Sequence, residues 1–109
     1  MTDIIVVFST CPSAEEAEKV ARKLLAKQLA ACVTLIPGAR SLYRWRGEVE
    51  EASEHVLLIK SRRGLFDQLR AELGSMHSYE VPEILALPVV EGAPSYIDWI
   101  DKELKDTTE

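Results

Sequence analysis

Only two cysteines, Cys11 and Cys32, occur in the 109 residues, and that scarcity excludes several architectures at once. They form neither a CxxC pair nor the spacing of a disulfide scaffold, so a stapled extracellular module and a thiolate-pair metal carrier both fail. A ferredoxin-type iron–sulfur cluster needs four cysteines. Both thiols are therefore read as reduced. Basic residues are also short: 13 Lys and Arg stand against 18 Asp and Glu, for a net charge of −5. A nucleic-acid partner or an anionic membrane surface would want the opposite balance, so no nucleic acid and no membrane is the expectation. Cations, or a partner with a positive patch, are the easier ligands. The apolar run Ile4 to Phe8 is too short for a signal-peptide core or a membrane span, and Asp3 sits where a signal would carry bases. A cytoplasmic location is expected. No Ser/His/Asp order and no phosphate-cradling loop stands out, so no catalysis is expected.

What is present reads as one α+β domain over residues 1–109, with no linker, repeat or low-complexity stretch. Ile4-Ile5-Val6-Val7-Phe8 is a β-branched run fit for a central strand buried on both faces. Ser9 to Pro12 reads as a turn. Ser13-Ala14-Glu15-Glu16 has the form of a capping box, in which Ser13 takes a helix amide and Glu16 reaches back. The helix it opens carries Ala17, Val20, Ala21, Leu24 and Leu25 on one stripe, with Glu15/Lys19 and Glu18/Arg22 as i,i+4 pairs outside. Ala31 to Trp45 reads as a second strand broken by a bulge at Pro37-Gly38. Arg46-Gly47 makes a hairpin turn and Glu48 to Lys60 a third strand. Ser61 is expected to cap a second helix, with Leu65, Phe66, Leu69 and Leu73 inward and Gly74 as its stop. Met76 to Pro82 is a polar loop. Glu83 to Val90 is a fourth strand, placed at an edge because Pro88 cannot donate to a ladder. Pro94 opens a last helix with Ile97, Ile100 and Leu104 inward, and Asp106 to Glu109 is expected to fray. The order β-α-β-β-α-β plus a terminal helix is the ferredoxin-like arrangement, with the first and third strands side by side in the middle.

The hairpin is too long for its domain. Arms of about fourteen residues reach roughly 45 Å at about 3.3 Å per residue, whereas a globule of this size has a radius of gyration of about 13 Å. A lone two-stranded ribbon is marginal in water, and this one would expose Leu42, Tyr43, Trp45 and Val49 near its tip. Packing against a neighbouring subunit in a closed, symmetric oligomer resolves both problems.

Met76-His77-Ser78-Tyr79-Glu80-Val81-Pro82-Glu83 is the richest polar segment. It offers a thioether, an imidazole and carboxylates, donors that suit copper or zinc, although no standard metal spacing is present and Tyr79 and His77 can equally serve buried hydrogen bonds. His77, with help from Met76 or Glu83, is the candidate for a weak and exposed metal site. Cys11 precedes a helix N-terminus, which can lower a thiol pKa; a packed turn residue is the plainer reading. Cys32 reads as core, and His55 as structural. Glu48, Glu50, Glu51 and Glu54 form an acidic run that Arg40, Arg44, Arg46, Arg62 and Arg63 can answer across strands or subunits as a solvated, ion-paired surface, with a cation-attracting edge as the alternative.

Leu29-Ala30-Ala31-Cys32-Val33-Thr34-Leu35-Ile36-Pro37-Gly38 resembles a hallmark of the CutA divalent-cation tolerance family. So do Ser41 to Glu50, the run His77-x-Tyr79-Glu80-Val81-Pro82-Glu83-Ile84, Ala86-Leu87-Pro88-Val89 and Tyr96-Ile97-Asp98-Trp99-Ile100. The resemblance spans nearly the whole chain. It implies a ferredoxin-like homotrimer joined sheet to sheet, an architecture similar to the PII signalling proteins, and a non-catalytic role in divalent-metal or copper tolerance with a weakly bound cation. It places Tyr43 and Trp45 in the trimer hairpin and Tyr79, Glu80 and Glu83 at an inter-subunit cleft. Relatives proposed to bind copper can carry a cysteine near the end of the first strand and a His-His pair before the tyrosine. Ser9, Met76 and His77 stand there in this chain, so only His77 matches, and Ser78 replaces a usual proline. The alternative role is a structural adaptor, or a PII-like trimer that binds a small effector or protein partner in its clefts.

Overall fold

The computed structural model describes residues 2–106. β1 (Ile4–Cys11) is followed by α1 (Ala14–Ala26), β2 (Cys32–Trp45), β3 (Glu48–Arg62), a 3-10 turn at Arg63–Leu65, α2 (Phe66–Met76), β4 (Ile84–Pro88) and α3 (Pro94–Glu103). The four strands make one antiparallel sheet in the order β2-β3-β1-β4. This is the expected α+β, ferredoxin-like order, with β1 and β3 central and β4 at an edge.

Strand periodicity divides the sheet into two unlike faces. Val7 pairs with Ile59 and Ser9 with Leu57, and all four are fully buried. Val7, Leu57 and Ile59 pack with Val20 and Leu24 of α1, Leu69 and Leu73 of α2, and Ile100 of α3 in one core. Each such aliphatic side chain contributes about 1.5–3 kcal/mol by leaving water. On the opposite face Phe8 lies across from Leu58 and Leu85. Leu85 and Leu87 remain 58% and 53% exposed there.

Local chemistry explains most boundaries. The Ser13 hydroxyl accepts the Glu16 amide at 3.1 Å and caps α1. The helix ends where Gln28 takes a left-handed φ of 54°. The Leu29 amide then donates to Leu24 O and the Gln28 amide to Leu25 O, both at 3.0 Å, a Schellman closure that normally recruits glycine. The hairpin turns through positive φ at Arg46 (53°) and Gly47 (84°), the conformation that matches strand twist. The expected bulge is present: register shifts between Ile36 and Ala39, and Gly38 there has φ of 80°. The domain is 43 Å long and 25 by 22 Å across, in keeping with the hairpin's length.

Several boundaries differ from expectation. Ser9 to Cys11 is strand, not turn, because β3 supplies partners for it: Ser9 pairs with Leu57, Thr10 with Val56 and Cys11 with His55. Ser61 does not cap a helix. β3 runs on to Arg62, and the buried Ser61 hydroxyl donates to Leu29 O at 2.8 Å, while α2 starts without a side-chain cap. Gly74 does not stop α2, which continues to Met76. Glu16 does not reach back to close a capping box; its carboxylate accepts the Ser78 amide at 3.1 Å instead. β4 is shorter than expected at both ends. Leu104 is buried as expected but lies just beyond α3. Of the tail expected to fray, residues 107–109 lie outside the described residues.

Candidate functional site

Three elements converge on His77. β1 supplies Ser9 and Cys11 from its buried face, α1 supplies Glu16 from its first turn, and the segment after α2 supplies the imidazole. His77 Nε2 lies 2.8 Å from Ser9 Oγ. Its Nδ1 lies 3.5 Å from Glu16 Oε2 and 4.0 Å from Cys11 Sγ. With hydrogen on Nδ1 the ring donates toward Glu16 and the Ser9 hydroxyl donates to Nε2; with hydrogen on Nε2 Ser9 accepts it, and the Nδ1 lone pair is left for the Cys11 side. One donor atom each from Cys11, Glu16 and His77 lies within 4.8 Å of the others.

Burial sets the protonation of this cluster. Cys11 is fully buried, and burial together with the nearby Glu16 carboxylate pushes its thiol up to about 12. Of the two readings of Cys11, burial supports the packed residue, although it sits in a strand rather than a turn, and counts against a thiol activated by the helix terminus. Burial also lowers His77 below the ordinary histidine value, against the partial opposition of Glu16, so the ring is neutral at pH 7. Burial would raise Glu16, but the Ser78 and His77 hydrogen bonds and the His77 charge outweigh it and hold the carboxyl low. The His77 side chain has no exposed surface and Glu16 keeps 18%. The expectation of an exposed site at His77 is corrected accordingly: the imidazole is closed off, and Glu16 is the member that meets solvent.

The donor set fits a borderline or soft cation, since thiolate, imidazole and carboxylate are the usual zinc ligands. Three protein donors make an open coordination set, where a structural zinc site closes with four. Sequence reasoning missed Cys11 and Glu16 as companions of His77. The available signal was period two: had the strand been extended to Cys11, Ser9 and Cys11 would have fallen on one buried face. Met76 ends α2 and packs against the core.

Beyond His77 the segment crosses to the other face of the sheet. The His77 and Tyr79 rings stack with centroids 6.1 Å apart. Tyr79 Oη donates to Glu54 Oε2 at 2.7 Å, and Ser41 Oγ donates to the other oxygen of Glu54. Burial would raise Glu54, but the hydrogen bonds from Ser41, Tyr79 and Thr10 prevail and hold it below the ordinary carboxylate value. Next to this network opens a cleft of about 430 Å³, walled by Tyr43, Trp45, Tyr79, Glu50, Glu80 and Glu83. The loop and hairpin residues singled out in the sequence thus share one cavity within a single chain. Arg46 crosses its rim: the guanidinium sits 5.3 Å over the Trp45 ring and 3.3 Å from Glu80.

A four-stranded antiparallel sheet in ferredoxin-like order, an outsized hairpin and a buried thiol–imidazole–carboxylate cluster define a small α+β protein with the donor set of a metal site. The family model described as CutA1 divalent ion tolerance protein matches residues 5–103, and the chain belongs to that family. It is 46% identical to the divalent-cation tolerance protein CutA of Thermus thermophilus, over 87% of this chain and 92% of that protein. It is 38% identical to the chloroplastic protein CutA of Arabidopsis thaliana, over 94% of this chain but only 56% of that protein. The crystal structure of CutA from Xylella fastidiosa superposes with a TM-score of 0.92 at 41% identity, covering 95% of this chain and all of that one. Among the described residues no helix is long and apolar enough to cross a membrane.

Proposed function

We propose that this chain is a cytosolic, non-catalytic homotrimer of the metal-tolerance response that takes up zinc or copper through Cys11, Glu16 and His77. The observation that carries this reading is the convergence of the three donor atoms within 4.8 Å, and the relatives named for divalent-cation tolerance support it. Ser9 would hold the imidazole through Nε2, the usual way an outer partner orients a ligating histidine. A bound cation would supply the positive charge that lets Cys11 exist as thiolate in a buried place. Assembly is supported by the apolar sheet face bearing Leu85 and Leu87 and by Leu42 and Val49, 64% and 68% exposed on the hairpin.

Calorimetric titration with Zn²⁺, and with Cu⁺ under anaerobic conditions, tests the site. Wild type is expected to bind one ion per protomer, with Cys11→Ser and His77→Ala each weakened at least about tenfold and circular dichroism unchanged. Equal affinity in all three proteins removes the cluster from the function, and no binding in wild type favours the structural-adaptor role.

A further inference from the structure

We propose that His55 is the fourth protein donor to the cation of the Cys11–Glu16–His77 cluster, and that the completed set holds a divalent ion of the zinc type. The inference rests on the reading of that cluster as a metal site and adds a residue from another strand, one read from the sequence as structural. β1 and β3 pair without a break from Ile4↔Arg62 to Cys11↔His55. His55 therefore stands directly across from Cys11, with Cα atoms about 4.5–5.5 Å apart. Opposed residues of an antiparallel pair share a face of the sheet. His55 thus lies on the helix-covered face with Cys11, Ser9 and Leu57, not on the apolar face of Leu85 and Leu87. β1 still flanks β3 at this point, so His55 belongs to the body of the domain rather than to the projecting hairpin.

His55 Nδ1 is buried and has no hydrogen-bond partner, the one side-chain nitrogen or oxygen in that condition among the described residues. An imidazole nitrogen carries either a lone pair or a hydrogen, and native structures seldom bury either without a partner. The polar groups nearby are engaged. Ser9 Oγ meets His77 Nε2, and Glu54, on the other face, takes Ser41, Tyr79 and Thr10. A cation beside Cys11 gives the Nδ1 lone pair its use. The other three donors are set for one: His77 Nδ1 is 3.5 Å from Glu16 Oε2 and 4.0 Å from Cys11 Sγ. Ligands about 2.0–2.3 Å from a tetrahedral ion stand about 3.3–3.8 Å from one another. His55 lies outside the 4.8 Å grouping of those three, so it is the member that swings in, by rotation of its side chain, when the ion arrives. Charge favours a divalent ion. One thiolate and one carboxylate cancel the charge of Zn²⁺, and two neutral imidazoles add none. The filled site is then neutral, as a buried place requires, whereas Cu⁺ in the same set would leave a net negative charge. Four nitrogen, sulfur and oxygen donors also meet the tetrahedral habit of zinc.

The test loads the full-length protein with Co²⁺, whose visible bands are intense in a tetrahedral site and weak at higher coordination, and then measures Zn²⁺ affinity by calorimetry. Wild type is expected to give intense bands at one ion per protomer. His55→Ala should turn them weak and lower Zn²⁺ affinity at least about tenfold, with circular dichroism unchanged. Long-range proton–nitrogen correlation spectra of the wild type need no variant. Zn²⁺ should shift the Nδ1 resonances of His55 and His77 together, whereas a merely structural His55 would keep its resonance. Should His55→Ala fail to fold, those spectra decide. The two readings fail separately. If Cys11→Ser and His77→Ala weaken binding while His55→Ala does not, or if the His55 resonance stays in place, the fourth donor is overturned and the three-donor site stands. Weak Co²⁺ bands in wild type overturn the fourth donor in the same way. If wild type takes up neither ion, both readings fall.

Discussion

The Tyr79 hydroxyl donates to Glu54 Oε2 over 2.7 Å, tying the segment after α2 to the middle of the β2–β3 hairpin. Glu54 is only 8% exposed, so its charge depends on that donor and on Ser41. Tyr79→Phe should cost about 1–3 kcal/mol at pH 7 by leaving a buried carboxylate short of a partner. The sign of the pH dependence follows from the depressed value of Glu54. The stabilisation is present above the unfolded value near 4.5 and is lost as pH falls through the lower folded value. Urea unfolding at pH 7 and at pH 3 should therefore show a wide gap between wild type and variant at pH 7 and a narrower one in acid. A gap independent of pH would show that the bond does not favour ionised Glu54.

Ser13→Ala should destabilise the protein by about 1 kcal/mol, the usual worth of an N-cap. The bond at stake is the 3.1 Å contact from the Glu16 amide. Because Glu16 is engaged with Ser78 and His77 rather than with the cap, the effect should stop at the cap. An unchanged urea midpoint would show that Ser13 contributes nothing.

Two glycines should respond in opposite directions to the same change. Gly38 has φ of 80°, and an added Cβ would meet nothing within 4 Å. Gly38→Ala should still cost about 1 kcal/mol, from backbone strain alone. Gly74 lies inside α2 with equally open surroundings. Gly74→Ala should stabilise by about 0.5–1 kcal/mol, because alanine loses less entropy in a helix. Thermal midpoints moving in the same direction would contradict this.

Cys11 should resist alkylation in the native protein. Its thiol is raised to about 12 and fully buried, and thiolate is the reactive species. Iodoacetamide at pH 8 followed by peptide mass mapping should find Cys11 unmodified until denaturant is added. Rapid native labelling would place Cys11 in contact with solvent.

Assembly should depend on the apolar sheet face. Light scattering of the wild type should give about three times the 12.2 kDa chain mass, and Leu85→Glu with Leu87→Glu should lower it, since charges there would be buried between subunits. A wild-type monomer at micromolar concentration would defeat the trimer.

Sequence alone determined what neighbouring residues decide. The order of strands and helices, the bulge at Pro37-Gly38, the turn at Arg46-Gly47, the Ser13 cap and the excessive hairpin length all rest on spacing within a few residues. The candidate loop was legible too, because His77, Tyr79, Glu80 and Glu83 are contiguous. Tertiary structure decided what depends on distant partners. β1 reaches Cys11 because β3 lies beside it, pairing Thr10 with Val56 and Cys11 with His55. Ser61 gives its hydroxyl to the Leu29 carbonyl, 32 positions away, since a buried acceptor without water has a stronger claim on it than an exposed helix end. Glu16 leaves the capping box for the Ser78 amide, 62 positions on. Cys11 and His77 are separated by 66 positions, and no local pattern announces such a pairing. The packing of α1 and the 77–83 segment over β1 brings them together, and the same burial keeps the thiol protonated and the imidazole neutral.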